Sequence, residues 1–228
     1  QMKSILLSTD YVPKAIEDAI KFAWKCKVFN HYGMTEMGLG GGVFCEAQYG
    51  YHLREADMYF EIIDPNSGLL LPDGEVGEVV FTTLTRGGMP LIRYRTGDFS
   101  RLLPEKCPCG TILKTLWKIN GRIGKQVKIK RRLFSIADLD EAFFKIDGLI
   151  NYRLEIMHSR SSEKLSFQLF LLQEDALLEE KIIEALHDLE IPLNKNEITL
   201  EMNYGYPIEL ASMKKRQIIE RPADNDII

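Results

Sequence analysis

Two short polar segments carry the side chains best suited to chemistry. His31-Tyr32-Gly33-Met34-Thr35-Glu36 and Tyr94-Arg95-Thr96-Gly97-Asp98 each stand between apolar, β-branched runs. That pattern predicts a turn at the end of a strand in each case, the place where α/β sheets bind ligands. The Thr35 hydroxyl can hold a phosphate oxygen, the Glu36 carboxylate can go to Mg2+, and Asp98 can accept hydrogen bonds from both hydroxyls of a ribose. Together the three describe a nucleotide site. For Asp98 the plainer alternative is a turn residue bonded to its own backbone.

A second set of residues has metal chemistry. Cys107-Pro108-Cys109-Gly110 makes a tight knuckle, and Cys45 and His52 lie upstream. Thiolates and an imidazole in this combination suit a closed tetrahedral Zn2+ site that staples a subdomain without catalysing. One residue between the paired cysteines is tighter than the usual spacing, so a buried cysteine pair beside a surface histidine stays open as the other reading. Cys26 reads as a small core residue.

Tyr32-Gly33-Met34-Thr35-Glu36, Tyr94-Arg95-Thr96-Gly97-Asp98, Cys107-Pro108-Cys109-Gly110 and Gly121-Arg122 occur in the order and approximate spacing of one family. In these motifs the chain resembles the adenylate-forming superfamily, and among its AMP-forming acyl-CoA ligases the phenylacetate-CoA ligase family. The resemblance runs over nearly the whole chain. It implies a two-step ligase: a carboxylate, phenylacetate-like and aromatic, reacts with ATP and Mg2+ to give an acyl-adenylate, and coenzyme A then takes the acyl group. It implies nucleotide contacts from Tyr32, Gly33, Thr35, Asp98 and Arg122, with Mg2+ on Glu36 and catalytic roles for Thr35 and Glu36. Lys125 would be a hinge residue, and Lys214 the catalytic cation of a mobile domain, although Met213 stands where the family has glycine. The glycine-rich run 38–42 would border the acyl pocket.

The superfamily's Ser/Thr/Gly-rich phosphate loop has no counterpart before Tyr32. The expectation is therefore the second half of an adenylate site, inactive alone: either a portion of a longer ligase, or a natural short protein that binds a nucleotide or a partner without catalysis. An adenylyltransferase acting on an acidic cofactor is a related alternative.

Elements must position these residues. The fold class expected is α/β followed by α+β: residues 1–120 as the end of a large AMP-binding domain (strand-helix-strand plus a β-rich subdomain), 121–125 as a hinge, and 126–228 as a small mobile ferredoxin-like domain. Residues 4–8 read as a strand, and Pro13 as a helix start. Ile16, Ile20, Ala23 and Trp24 share one face of that helix, with Glu17, Asp18, Lys21 and Lys25 expected to point away. Residues 58–63 and 78–84 read as strands of a meander or small barrel. The glycines and polar residues of 119–125 read as a domain boundary. The basic run Lys125, Lys128, Lys130, Arg131 and Arg132 reads as an exposed edge strand, with binding of CoA phosphates as the alternative. Beyond it, a helix over 137–146, strands over 152–157 and 164–170, a helix capped by Asp175 and running to Leu189, and a strand over 197–202 give the ferredoxin-like order.

A chain of 228 residues, 45% hydrophobic with a net charge of -4, can bury a substantial core and offers no single-sign field for nucleic acid or an anionic membrane. With four cysteines it is no disulfide scaffold. The expected setting is cytoplasmic, with association or homo-oligomers formed through the apolar edge of a truncated sheet.

Overall fold

Parallel strands need a crossover, and the start of the chain provides one. Strand β1 (Ser4–Leu7) and strand β2 (Lys27–Tyr32) pair in parallel, joined by helix α1 (Lys14–Trp24). Pro13 caps α1, and Lys25 ends it in the left-handed conformation with its N–H on the Lys21 carbonyl, 3.0 Å away. Strands β3 (Gly42–Phe44), β4 (Tyr51–Leu53) and β8 (Thr115–Leu116) extend this sheet in antiparallel fashion, giving the order β1-β2-β3-β4-β8. The structure is a computed structural model, and it describes residues 2–8, 10–129, 132–158, 163–174, 176–191, 198–204 and 217–222.

The inward face of α1 is displaced toward Glu17 and Lys21, while Asp18 and Lys25 are exposed as expected. Glu17 is buried, whereas Phe22, Ala23 and Trp24 are exposed and Ile16 and Ile20 are half-buried. The expectation that Glu17 points away is therefore wrong. The reason is a polar cluster beneath the helix: Glu17 accepts a hydrogen bond from the buried Asn30 amide and pairs with Lys118 at 3.3 Å and Lys21 at 3.7 Å. A buried carboxylate is tolerated where cations and donors satisfy it.

Strands β5 (Met58–Ile63), β6 (Gly77–Thr83) and β7 (Tyr94–Ser100) form a three-stranded antiparallel meander, with no barrel closure among the described residues. The second polar motif thus lies within β7 and is no terminal turn, which corrects the sequence reading. Gly97 adopts φ +76° and the register shifts on β6 between Glu78 and Val80. A glycine that bends a strand at a bulge has the same local signature as a turn glycine.

The chain divides into two compact units, Gln1–Gly124 and Lys125–Ile228. The second opens with an antiparallel hairpin, β9 (Val127–Ile129) and β10 (Arg132–Phe134), with Lys128 and Arg132 exposed; Lys130 and Arg131 lie outside the described residues. Helix α2 (Ile136–Phe143) starts at a capping box in which Ser135 and Asp138 satisfy each other's backbone N–H groups. Strands β11 (Leu149–His158) and β12 (Glu163–Leu171) alternate buried and half-buried residues, the period expected of strands. Helix α3 (Leu178–Asp188) and strand β13 (Ile198–Tyr204) follow; the proposed Asp175 cap and Glu197 lie outside the described residues. Strand β14 (Gln217–Pro222) was not foreseen and pairs in parallel with β11.

The element order expected for this unit is present, but the sheet runs β13-β12-β11-β14, and α3 joins the neighbouring parallel strands β12 and β13. Its core is a single cluster that includes Phe143, Tyr152 and Phe167, whose rings meet edge to face. Among the described residues no helix is long and apolar enough to cross a membrane.

Candidate nucleotide site and cysteine-histidine cluster

Tyr32 ends β2, at the carboxyl end of the parallel pair, where open α/β sheets place ligands. The chain then passes Gly33 into a single 3-10 turn, Thr35–Met37, anchored by the fully buried Met37. Gly33 has no room for a side chain, because a Cβ there would stand 2.8 Å from the Gly40 Cα. The glycine run folds back over β2: the Gly41 N–H donates to the Tyr32 carbonyl at 2.8 Å. His31 pins it. Its Nε2–H donates to the Leu39 carbonyl at 3.2 Å, and its Nδ1 is hydrogen-bonded with the Ser8 hydroxyl at 2.9 Å.

The two motifs hold each other's carboxylates. The Tyr32 hydroxyl donates to Asp98 Oδ2 at 3.0 Å, and the Tyr94 hydroxyl donates to Glu36 Oε1 at 3.1 Å. Burial, with the negative Asp98 beside it, pushes the Tyr32 phenol well above its ordinary range, so it remains a donor. Desolvation and the Glu36 carboxylate raise Tyr94 as well. Arg122 pairs with Asp98 at 3.5 Å and donates to the Thr96 carbonyl at 2.9 Å. It reaches them because residues 98 and 122 form an isolated antiparallel bridge.

The bulge aims Asp98. Buried Thr96 donates its hydroxyl to the Val79 carbonyl at 2.7 Å and accepts the Asp98 N–H at 3.0 Å, while buried Glu78 takes the Gly97 N–H at 3.0 Å. Sequence reasoning missed two members of this site. Tyr94 lay inside a motif but had no assigned role, and Arg86, whose Nη1 donates to the Glu36 carbonyl at 2.8 Å, had no motif at all. Thr35 is exposed beside Glu36, and Lys125 is exposed at the start of the second unit. Lys214 lies outside the described residues.

The structure brings Cys45, His52, Cys107 and Cys109 together, with ligand atoms all within 4.8 Å of one another. Cys45 follows β3 and His52 sits in β4, whose pairing sets Val43 opposite His52. The knuckle is turned by Gly110, at φ +84°, whose N–H donates to the Cys107 carbonyl at 3.0 Å. Cys45 and Cys107 sulfurs lie 3.5 Å apart, and Cys109 Sγ lies 3.8 Å from His52 Nε2. Burial pushes the Cys107 thiol up to about 11, and it lowers His52, which favours a neutral imidazole.

No protein-family model matches the chain. Over 93 residues, 40% of this chain, it is 50% identical to the phenylacetate-coenzyme A ligase of Aromatoleum evansii. Over 162 residues, 69% of this chain, it is 35% identical to the phenylacetate-coenzyme A ligase of Escherichia coli K12. The matched regions amount to 20% and 36% of those two relatives. Among solved structures, a 2-hydroxyisobutyryl-CoA ligase in the postadenylation state superposes with a TM-score of 0.81 at 24% identity, over 96% of this chain and 48% of that one. The anthranilate CoA ligase AuaEII, solved with anthranoyl-AMP, gives 0.61 at 14%, covering 90% of this chain and 42% of that one. At these identities the structural likeness speaks for the fold. The four motifs, the shared fold and the identity to curated ligases agree, and the chain belongs to the phenylacetate-CoA ligase-like members of the adenylate-forming superfamily.

Proposed function

We propose that this chain carries the ribose-reading half of the adenylate site of an AMP-forming acid-thiol ligase, acting on a phenylacetate-like aromatic acid with ATP and coenzyme A. The observation that carries the reading is the reciprocal pairing of Tyr32 with Asp98 and of Tyr94 with Glu36. It holds two carboxylates, one suited to ribose and one to a cation, at the end of a parallel strand pair. The curated relatives' names support the substrate class.

In the first step a carboxylate oxygen attacks the α-phosphorus of ATP and pyrophosphate leaves. In the second the CoA thiolate attacks the acyl carbon and AMP leaves. Asp98 accepts the ribose hydroxyls, and Tyr32 fixes the carboxylate's orientation. Arg122 supplies positive charge toward ribose and phosphate, and Thr35 donates to a phosphate oxygen. Gly33 keeps the backbone close to the nucleotide. Lys214 supplies a fixed cation where charge develops. Glu36, a hard oxygen donor held by Tyr94, fits Mg2+, which would neutralise phosphate charge. Residues 121–125 act as a hinge with Lys125 at the pivot, and 126–228 as the mobile domain, ferredoxin-like in its element order. The setting is the cytoplasm, with small molecules as partners and neither nucleic acid nor membrane.

Calorimetric titration with AMP and with ATP-Mg2+ tests this. AMP is expected to bind the chain, and Asp98→Ala to weaken it at least about tenfold, the loss of charge-assisted hydrogen bonds to ribose. No binding to the parent, or equal binding to the variant, overturns the site. Because the chain contains no Ser/Thr/Gly-rich loop before Tyr32, it is expected to show no carboxylate-dependent ATP-pyrophosphate exchange alone. Robust exchange would show that loop to be dispensable.

A further inference from the structure

We propose that Cys45, His52, Cys107 and Cys109 bind one structural Zn2+ ion, closed by four protein ligands. Tetrahedral zinc holds thiolate sulfurs at about 2.3 Å and an imidazole nitrogen at about 2.0 Å, which sets neighbouring ligand atoms about 3.5–3.8 Å apart. The separations here are 3.5 Å for Cys45 to Cys107 and 3.8 Å for Cys109 to His52, with every pair inside 4.8 Å. The space between such atoms fits a single ion. Sulfur donors select zinc over the hard cations Mg2+ and Ca2+.

Packing alone does not account for the convergence. A cysteine without a metal behaves as a small apolar residue with weak hydrogen bonding. Cys107 is buried, but Cys109 is exposed, so burial gives no reason for its thiol to meet an imidazole. Cys26 stands outside the cluster.

The fold says what the ion does. The loop between β7 and β8 leaves the sheet after Leu102, which bridges Leu116, and its base is closed by the Leu103 N–H on the Thr115 carbonyl at 2.8 Å. Beyond that base the knuckle's own turn is local. A metal ties its tip to the β3-β4 hairpin, linking Cys45 to Cys107 across 62 positions of sequence. Because β3 also pairs with β2 at His31 and Tyr32, the ion braces the strand that carries the nucleotide motif. Four protein ligands leave no open position for catalysis. The proposal stands apart from the ligase reading, since none of its ligands is assigned to nucleotide or acid.

The test is metal analysis of the reduced chain purified without added metal or chelator, followed by Co2+ titration of the chelated protein. The expected result is about one zinc per chain. Cobalt should then give intense thiolate charge-transfer absorption and tetrahedral d-d bands that saturate at one equivalent and are displaced by zinc. Cys109→Ser, at an exposed position, should shift or abolish those bands. Chelation should lower the melting temperature, and zinc should restore it. A folded, reduced chain with neither zinc nor cobalt bands overturns the proposal, as do iron as the resident metal and unaltered cobalt bands in Cys109→Ser. The wild-type cobalt titration decides the matter even where a variant fails to fold.

Discussion

At the scale of single residues, the site depends on phenols that keep their protons. Tyr32 donates to Asp98 from a buried position, and both burial and the carboxylate disfavour the phenolate. Tyr51, raised chiefly by burial, behaves alike. In the unfolded chain both would lose their protons near pH 10, the ordinary tyrosine value. A folded-state pKa raised above the unfolded one gives stability that is fully present below about pH 10 and is lost as pH rises beyond it. Urea unfolding at stepped alkaline pH should therefore show falling stability above pH 10, with a shallower slope in Tyr32→Phe. An unchanged slope would mean that the phenol ionises freely in the folded chain. At neutral pH the same variant should lose about 1.5–3 kcal/mol, the net worth of a hydrogen bond to a charged acceptor. It should also bind AMP more weakly, because Asp98 loses the group that orients it.

At the scale of elements, the strand bulge and the buried face of α1 decide how the motifs are presented. Gly97 sits at φ +76° and its carbonyl accepts the Ile123 N–H at 2.6 Å, so the bulge also fixes the segment that bears Arg122. Gly97→Ala should destabilise by about 1–2 kcal/mol, the penalty of left-handed backbone for an L side chain, and should weaken AMP binding as Asp98 turns. Stability loss with unaltered affinity would show that the bulge does not aim the carboxylate. Under α1, Glu17→Ala should cost about 3–5 kcal/mol in denaturant unfolding, since it leaves Asn30 and Lys118 without their acceptor. Adding Lys118→Met should recover part of that loss, and strict additivity would argue that the pair is not coupled. These two elements also mark where the sequence was legible. Alternation revealed β11 and β12, each of which buries one face, and β-rich runs bounded by turn residues revealed β5 and β6. Periodicity in α1 showed which residues share a face but not which face meets the sheet, since the deciding partners, Asn30 and Lys118, are remote in sequence. Thr35, Glu36 and Asp98 were legible by type and motif. Their supports were not: Tyr32 reaches Asp98 across 66 positions, Tyr94 reaches Glu36 across 58, and Arg86 reaches the Glu36 carbonyl across 50.

At the scale of the whole molecule, the two units each close an apolar cluster of their own, one drawn from Tyr32 to Leu116 and the other from Val127 to Ile191. Neither cluster accounts for a set of exposed apolar side chains in the first unit. Leu6 on β1 is 59% exposed, and on α1 Phe22 is 75% and Trp24 55% exposed. β1 is also the end strand of its sheet, so its outer row of backbone groups has no strand partner among the described residues. An unpaired edge beside exposed aromatics is a template for association. The charge of -4 on 228 residues gives only modest repulsion against it. Sedimentation velocity over a range of concentrations should therefore show the chain associating. Phe22→Glu combined with Trp24→Glu should shift it toward monomer, because both positions are already exposed and the change removes apolar surface without opening a core. A parent chain that stays monomeric throughout would show that the exposed faces do not self-associate. Association that persists in the double variant would move the contact to the β1 edge, where a proline at Leu6, removing one N–H from the outer row, becomes the discriminating change.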